Sequence, residues 1–175
     1  MKALKTFVRL IAGFGLIAGL LVAPTPVAAH ENGDSLSAVR HATAKFHSVG
    51  AAHTAGYFDP GLPCFDKPGV GGMGTHLVNL ALVNGLVSAT QPQALVYEVD
   101  GDELTLVAVE YLVPISFAQP HLFGHAFHPA YLPHGGPALG LWELHAWVWR
   151  HNPLGTFADY NPRVDLCPGT PTADD

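Results

Sequence analysis

The two cysteines of this 175-residue chain, Cys64 and Cys167, constrain its fold more than any other feature. A bond between them would close a loop of about 100 residues, which contributes up to roughly 4 to 5 kcal/mol in the chain-entropy model. In an exported chain an even number of cysteines predicts a disulfide. Two metal-binding thiolates are the alternative, and the lack of any C-x-x-C spacing argues against it.

The N-terminal segment, residues 1–29, follows the order of a cleaved secretory signal peptide. Three basic residues precede an apolar run over 10–23, and this run ends in prolines and in small residues before His30. The run is shorter than the about 20 residues of a membrane span, so cleavage is favoured over an uncleaved anchor. The sequence therefore predicts one exported domain over 30–175, secreted or periplasmic, with no membrane anchor after cleavage.

The charge of the predicted mature domain excludes some classes of partner. Five basic residues remain against 14 acidic ones, which gives a formal charge of −9. Such a surface disfavours nucleic acid and anionic membranes. All 11 histidines of the chain lie in this domain, and a number that high directs attention to metal binding.

Hydrophobic periodicity predicts an α+β fold, in which an N-terminal helix packs on an antiparallel sheet held by one disulfide. The helix spans 34–57, and 76–86 is ambiguous between strand and helix. Strands are predicted over 93–99, 104–113 and 141–150, with a turn at 100–102, a long His-rich loop over 115–140 and a frayed tail over 170–175.

The last predicted strand carries an unusual polar face. Side chains alternate along a strand, so one face holds Glu143, His145, Trp147 and Trp149. A carboxylate and an imidazole among indole rings are typical of a pocket lining. We expect Trp147 and Trp149, together with Tyr111, to form the pocket wall.

Two acids interrupt otherwise apolar strands, and a buried carboxylate needs an ion, a hydrogen bond or a metal as its partner. These acids are Glu98 and Glu110, and they share a face only if the strand register is even. His76 follows the glycine-rich segment 71–74, where glycines allow close approach of a ligand. His76, His145, Glu110 and Glu98 therefore form a candidate site for zinc, iron or copper. The alternatives are a structural Glu110–His145 pair in the core and acid–base chemistry without a metal.

The other histidines form weaker patterns. The set His121, His125, His128 and His134 can capture a metal, but a solvated loop is the favoured interpretation. Cleavage after Ala29 would expose His30, whose amine and imidazole can chelate copper. The helix histidines, His41, His47 and His53, are spaced six apart and are expected at the surface.

Several segments resemble a family of small exported bacterial proteins of unknown function. They include Gly71-Gly72-Met73-Gly74-Thr75-His76, Ala94-Leu95-Val96-Tyr97-Glu98, Val109-Glu110-Tyr111-Leu112-Val113-Pro114 and the stretch from Leu144 to Val164. The resemblance covers about residues 42–167 and implies export and a shared fold, but no activity.

The sequence thus favours an exported metal-binding domain over two alternatives. One is a non-catalytic module that binds an apolar small molecule, and the other is a structural or interaction protein. No reaction and no oligomeric state follow from these patterns.

Overall fold

The structure is a computed structural model that describes residues 35–170. The predicted signal peptide, His30 and the tail after Thr170 lie outside the described residues. Within residues 35–170 there is no helix with the length and apolar character needed to cross a membrane.

The predicted helix is shorter than expected and is broken at Ser48. Its first part, α1 (Leu36–Thr43), begins at Ser35, whose side chain accepts a hydrogen bond from the Ala38 amide, and continues into a 3-10 helix (Ala44–His47). Ser48 is extended and caps a second helix, α2 (Val49–Thr54). A serine side chain that bonds the following amides starts a new helix more readily than it continues an old one. The predicted span of 34–57 was therefore wrong.

Eight strands follow the helices. They are β1 (Phe65–Lys67), β2 (Gly71–Val78), β3 (Ala94–Asp100), β4 (Glu103–Pro114), β5 (His121–Leu122), β6 (His125–Ala126), β7 (His128–Tyr131) and β8 (Ala138–Ala146). Six of them form one antiparallel sheet in the order β1-β2-β3-β4-β8-β7, and β5 pairs with β6. The predicted antiparallel sheet is confirmed.

Three predicted boundaries need correction. The ambiguous segment 76–86 is a strand to Val78 and then a 3-10 helix over Leu80–Leu82. The predicted loop 115–140 contains three short strands, one of which joins the main sheet. The strand predicted over 141–150 begins at Ala138 and ends at Ala146. Beyond it the amides of Trp149 and Arg150 both donate to the Val107 carbonyl, so regular pairing stops.

The sheet has two faces of different character. One face packs its apolar side chains, including Leu95, Tyr97 and Val109, against Val39 and Phe46 of the helical segment. The Tyr97 hydroxyl also donates to the Phe46 carbonyl at 2.7 Å. Polar side chains are therefore concentrated on the opposite face, away from the helices.

A β-bulge decides which side chains share this opposite face. Tyr97 pairs with Leu106, but the preceding Val96 pairs with Ala108, so β4 contains one additional residue. Because side chains alternate with period two, one extra residue reverses the face of everything beyond it. The bulge puts Glu98 and Glu110 on the same face, a point the sequence left open.

The segment 161–167 lies across the outer end of β2. The Gly72 amide donates to the Val164 carbonyl, and the Gly72 carbonyl accepts from the Asn161 amide, both at 2.9 Å. A β-carbon on Gly72 would lie 2.1 Å from the Asp165 carbonyl oxygen. The glycine that we associated with approach of a ligand therefore accommodates the chain's own C-terminal segment.

We expect Gly72→Ala to destabilise the fold by about 1 to 3 kcal/mol, because the methyl group would push segment 161–167 off the sheet. Chemical denaturation measures the loss. Gly50→Ala, in α2, is the matched control and should be neutral or slightly stabilising, because its β-carbon would meet only Ser48 Oγ, at 3.7 Å. Equal stabilities for the two variants would contradict this account.

The predicted disulfide between Cys64 and Cys167 is confirmed. It holds the C-terminal segment beside β1, where the Cys167 amide also donates to the buried Asp66 carboxylate at 2.8 Å.

Replacing both cysteines by serine should lower the free energy of unfolding by about 3 to 5 kcal/mol, because the unfolded chain regains the entropy of a long loop. Denaturant titration of the double variant against the oxidised parent measures it. A loss below about 1 kcal/mol would mean that the other contacts of the C-terminal segment suffice.

Candidate metal centre

The structure brings together three of the four predicted ligands. His76 in β2, Glu110 in β4 and His145 in β8 project from the polar face, and their donor atoms all lie within 4.8 Å of one another. The Glu110 carboxylate is central, with one oxygen 3.5 Å from His76 Nε2 and the other 3.4 Å from His145 Nε2. All three side chains are at least 95 % buried.

Strand pairing explains why these side chains meet. Glu110 lies directly opposite His145 in the β4–β8 ladder, and opposite Ala94 in the β3–β4 ladder. His76 pairs with Val96, which in turn pairs with Ala108. The small side chains of Ala94 and Ala108 leave room on this face for the imidazole of β2 to reach the carboxylate of β4.

The separations in this group are too long for hydrogen bonds. Charged N–H···O contacts are usually about 2.7 to 2.9 Å long. Among the described residues, His76 Nδ1 and both ring nitrogens of His145 have no hydrogen-bond partner. Donors bound to one tetrahedral zinc at about 2.0 to 2.1 Å lie roughly 3.3 to 3.4 Å apart. Here each imidazole lies at a comparable distance from a different oxygen of Glu110, at 3.4 and 3.5 Å, and all three donors lie within 4.8 Å of one another, close enough to reach a common ion.

Burial keeps both imidazoles in the form that can bind a metal. Burial, assisted by the neighbouring His145, lowers the pKa of His76 to about 3. Burial lowers the pKa of His145 to about 4. Both rings are therefore neutral at physiological pH, as a metal ligand must be.

A second group of three lies next to the first. It consists of His128 in β7, Glu143 in β8 and Asp159 in the C-terminal segment, again with donor atoms within 4.8 Å of one another. His128 Nε2 contacts Asp159 Oδ1 at 2.9 Å, and its Nδ1 lies 3.5 Å from Glu143 Oε1. Side chains of this group are 12 to 41 % exposed, so it is more open to solvent than the first.

The electrostatics of the second group differ from those of the first. The hydrogen bond to Asp159 outweighs burial and raises the pKa of His128 to about 9. Burial raises the pKa of Glu143 to about 7. Burial and the adjacent Glu143 raise the pKa of Glu110 well above its ordinary value. For Asp159, burial acts to raise the pKa, but the hydrogen bond and charge of His128 and the neighbouring His145 lower it overall.

The structure places the fourth predicted ligand, Glu98, outside both groups. Glu98 lies on the same face as Glu110. However, Glu110 pairs with Ala94, and Glu98 is four residues beyond Ala94 in β3, a distance of about 13 Å at the usual rise of a strand. Its carboxylate accepts hydrogen bonds from Arg150 and from the Asp165 amide. The buried charge of Glu98 is thus balanced by an arginine and needs no metal.

None of the three predicted wall residues lines the cavity beside the metal-ligand groups. Trp147 is buried, donates to the Ala158 carbonyl and stacks on His145 with ring centroids 6.5 Å apart. Trp149 packs edge-on against His47. Tyr111 is in the core of the helix side and donates to the Ala89 carbonyl. Tyr111 follows Glu110 in β4 and therefore points to the opposite face. Trp149 lies beyond Ala146, where β8 ends and the alternation of faces no longer applies.

A cavity of about 660 Å³ opens onto both groups. His76 and Glu110 of the first group and all three residues of the second line it. The remaining lining is largely apolar and includes Leu62, Phe65, Met73, Leu112, Tyr131 and Leu141. A space of this size, apolar with a few polar groups at one side, is typical of a small-molecule site.

Sequence reasoning missed the second group as a unit. Glu143 was noted only for its strand face, and His128 was assigned to a solvated loop, although β7 places it in the main sheet. No local sequence pattern marked Asp159, because only the tertiary fold brings it close to His128 and Glu143. Of the other loop histidines, His121 and His125 are exposed, while His134 contacts Asp66 at 3.1 Å.

Comparisons with protein-family models, with curated proteins and with solved structures found no match for this chain. The resemblance to an exported bacterial family stays a prediction, and so does the N-terminal signal peptide.

Replacing Glu98 by alanine should lower stability by about 1 to 2 kcal/mol, since a buried salt bridge and a hydrogen bond are lost but Arg150 remains partly solvated. Metal content, measured by elemental mass spectrometry, should equal that of the parent. Glu103→Ala, an exposed glutamate on the next strand, is the control for stability. A loss of metal in Glu98→Ala alone would return this residue to the ligand set.

Proposed function

We propose that this protein is an exported domain that binds a divalent metal ion through His76, Glu110 and His145. The observation that carries the proposal is that their donor atoms all lie within 4.8 Å of one another in a buried group, with the two imidazoles on either oxygen of one carboxylate. Two imidazoles and one carboxylate form a ligand set found at catalytic zinc and non-haem iron sites.

A structural Glu110–His145 pair accounts less well for this geometry. A pair selected only to satisfy a buried carboxylate would close to hydrogen-bond distance, because an unsatisfied buried polar group costs about 1 to 3 kcal/mol. Here His76 Nε2 and His145 Nε2 face the Glu110 carboxylate at 3.5 and 3.4 Å, and His145 Nε2 has no hydrogen-bond partner among the described residues. A metal ion would satisfy the donors that face it.

Zinc is the metal that the first group fits best. Two imidazoles and one glutamate are a ligand set that holds catalytic zinc with its fourth position open. The set contains no thiolate or thioether, which disfavours Cu(I). Three protein ligands leave one tetrahedral position open, and the adjacent cavity supplies room for a further ligand there.

The cavity supports a second candidate function, the binding of an apolar small molecule. Its largely apolar lining could hold such a molecule with or without a metal. Metal removal separates the two functions, since a purely apolar site would retain its ligand in the chelator-treated protein. No reaction is assigned to the protein.

His76→Ala and His145→Ala should each bind one zinc ion fewer per chain than the parent, because two remaining ligands hold zinc poorly. The mature protein, exported without a His-tag and reconstituted with zinc alone, is measured by elemental mass spectrometry. Zinc should also raise the melting temperature of the parent more than that of each variant.

His41→Ala is the matched control, since His41 is an exposed histidine of α1. Its zinc content and thermal shift should equal those of the parent. A zinc stoichiometry equal to that of the parent in both His76→Ala and His145→Ala would reject this site. A parent that stays metal-free after incubation with zinc, iron and copper would reject metal binding altogether.

A further inference from the structure

We propose that a second divalent metal ion binds at His128, Glu143 and Asp159, so that two adjacent ions form one centre at the side of the cavity. The inference rests on the proposed function, since the first ion at His76, Glu110 and His145 is its neighbour. It adds a second site, with its own ligands and its own accessibility.

Three separate elements supply the second ligand set. Glu143 lies directly opposite His128 in the β7–β8 ladder, which puts both side chains on the polar face. Asp159 arrives from the C-terminal segment and places Oδ1 2.9 Å from His128 Nε2. One imidazole between two carboxylates provides hard oxygen donors and one nitrogen donor, a set that suits zinc, manganese or iron.

An independent observation points to the same place. His145 is fully buried and neither of its ring nitrogens has a hydrogen-bond partner among the described residues. Its Nε2 faces Glu110 of the first group, and its Nδ1 lies 3.8 Å from Asp159 Oδ1 of the second. The ring thus lies between the two groups and turns one unpartnered nitrogen toward each. When Nε2 binds the first ion, Nδ1 carries the ring proton toward Asp159, so the buried ring would orient the Asp159 carboxylate as a ligand of the second ion.

The contact between Glu110 and Glu143 joins the two groups a second time. Glu143 pairs with Leu112, two positions along β4 from Glu110, so the two carboxylates lie on the same face of adjacent strands. Carboxylates in this arrangement commonly bridge the ions of two-metal sites, which lie about 3.5 to 4 Å apart. Two cations would stabilise both carboxylates in the ionised form.

The two ions should differ in accessibility. His128 and Asp159 are 41 % and 39 % exposed, whereas no side chain of the first group exceeds 5 %. The second ion would therefore exchange faster and keep open positions toward the cavity. Two divalent ions exceed the three carboxylates by one positive charge, so the centre would favour an anionic oxygen ligand carried by an apolar molecule.

Zinc stoichiometry tests the second site. The mature protein is stripped with chelator, reconstituted with zinc alone and measured by elemental mass spectrometry and calorimetric titration. The parent and His41→Ala should bind two zinc ions per chain. Asp159→Asn and His128→Ala should bind one, and they should lose the weaker, faster-exchanging ion. Asp159→Asn is nearly isosteric and partly exposed, so it should fold even if a buried variant does not.

Cobalt alone provides a test of proximity. The second equivalent of Co²⁺ should diminish the electron paramagnetic resonance signal of the first in the parent, because adjacent paramagnetic ions couple. In Asp159→Asn the signal should saturate at one equivalent with no such loss. Undiminished signal at two equivalents in the parent would place the second ion too far away and overturn the proposal.

The stoichiometries also separate this inference from the proposed function. One zinc in the parent, kept by Asp159→Asn but lost in His76→Ala, overturns the second site and leaves the first intact. If the parent binds one zinc and both Asp159→Asn and His76→Ala lose it, residues of both groups bind a single ion, which also overturns the inference. Two ions kept in both Asp159→Asn and His128→Ala would locate the second ion elsewhere. A parent without zinc rejects both proposals.

Discussion

The polar face of the sheet depends on the attachment of the C-terminal segment to β2. The Cys64–Cys167 disulfide, the paired backbone hydrogen bonds at Gly72 and the Asp165 amide on Glu98 all hold this segment in place. The segment covers one end of the face and extends from the stretch that carries Asp159. Without it, the carboxylates and imidazoles of the face would be open to water on that side, and the second ligand group would lack one member.

The two faces of the sheet therefore serve different purposes. The helix face buries aliphatic and aromatic side chains and supplies most of the hydrophobic stabilisation. The opposite face buries His76, His145 and Glu110, which lowers stability unless a partner satisfies them. Other interactions must offset this loss in the free energy of unfolding, and the disulfide is one of them. Buried ionisable clusters with strongly shifted pKa values are concentrated at functional sites, and this group fits that pattern.

Particular residues show how far reasoning from sequence reached. Glu110 and His145 were identified because polar groups inside apolar strands need partners, and cross-strand pairing provides them directly. The same argument selected Glu98, but it could not distinguish a metal from an arginine as the partner. Arg150 lies 52 positions away and reaches Glu98 only because the chain turns back after β8. The prediction that Trp149 lines the pocket was wrong for a similar reason, since β8 ends at Ala146 and the chain turns away there.

The sequence by itself determined the features that depend on local pattern and composition: the cysteine pair, the antiparallel hairpin of β3 and β4, and the presence of histidines and carboxylates that would need partners. Only the tertiary structure decided which of them meet. The bulge at Val107 set the faces of Glu98 and Glu110, β7 brought His128 into the sheet, and the C-terminal segment delivered Asp159. Register shifts and long-range docking depend on small differences in packing energy between distant segments, and no local periodicity encodes them.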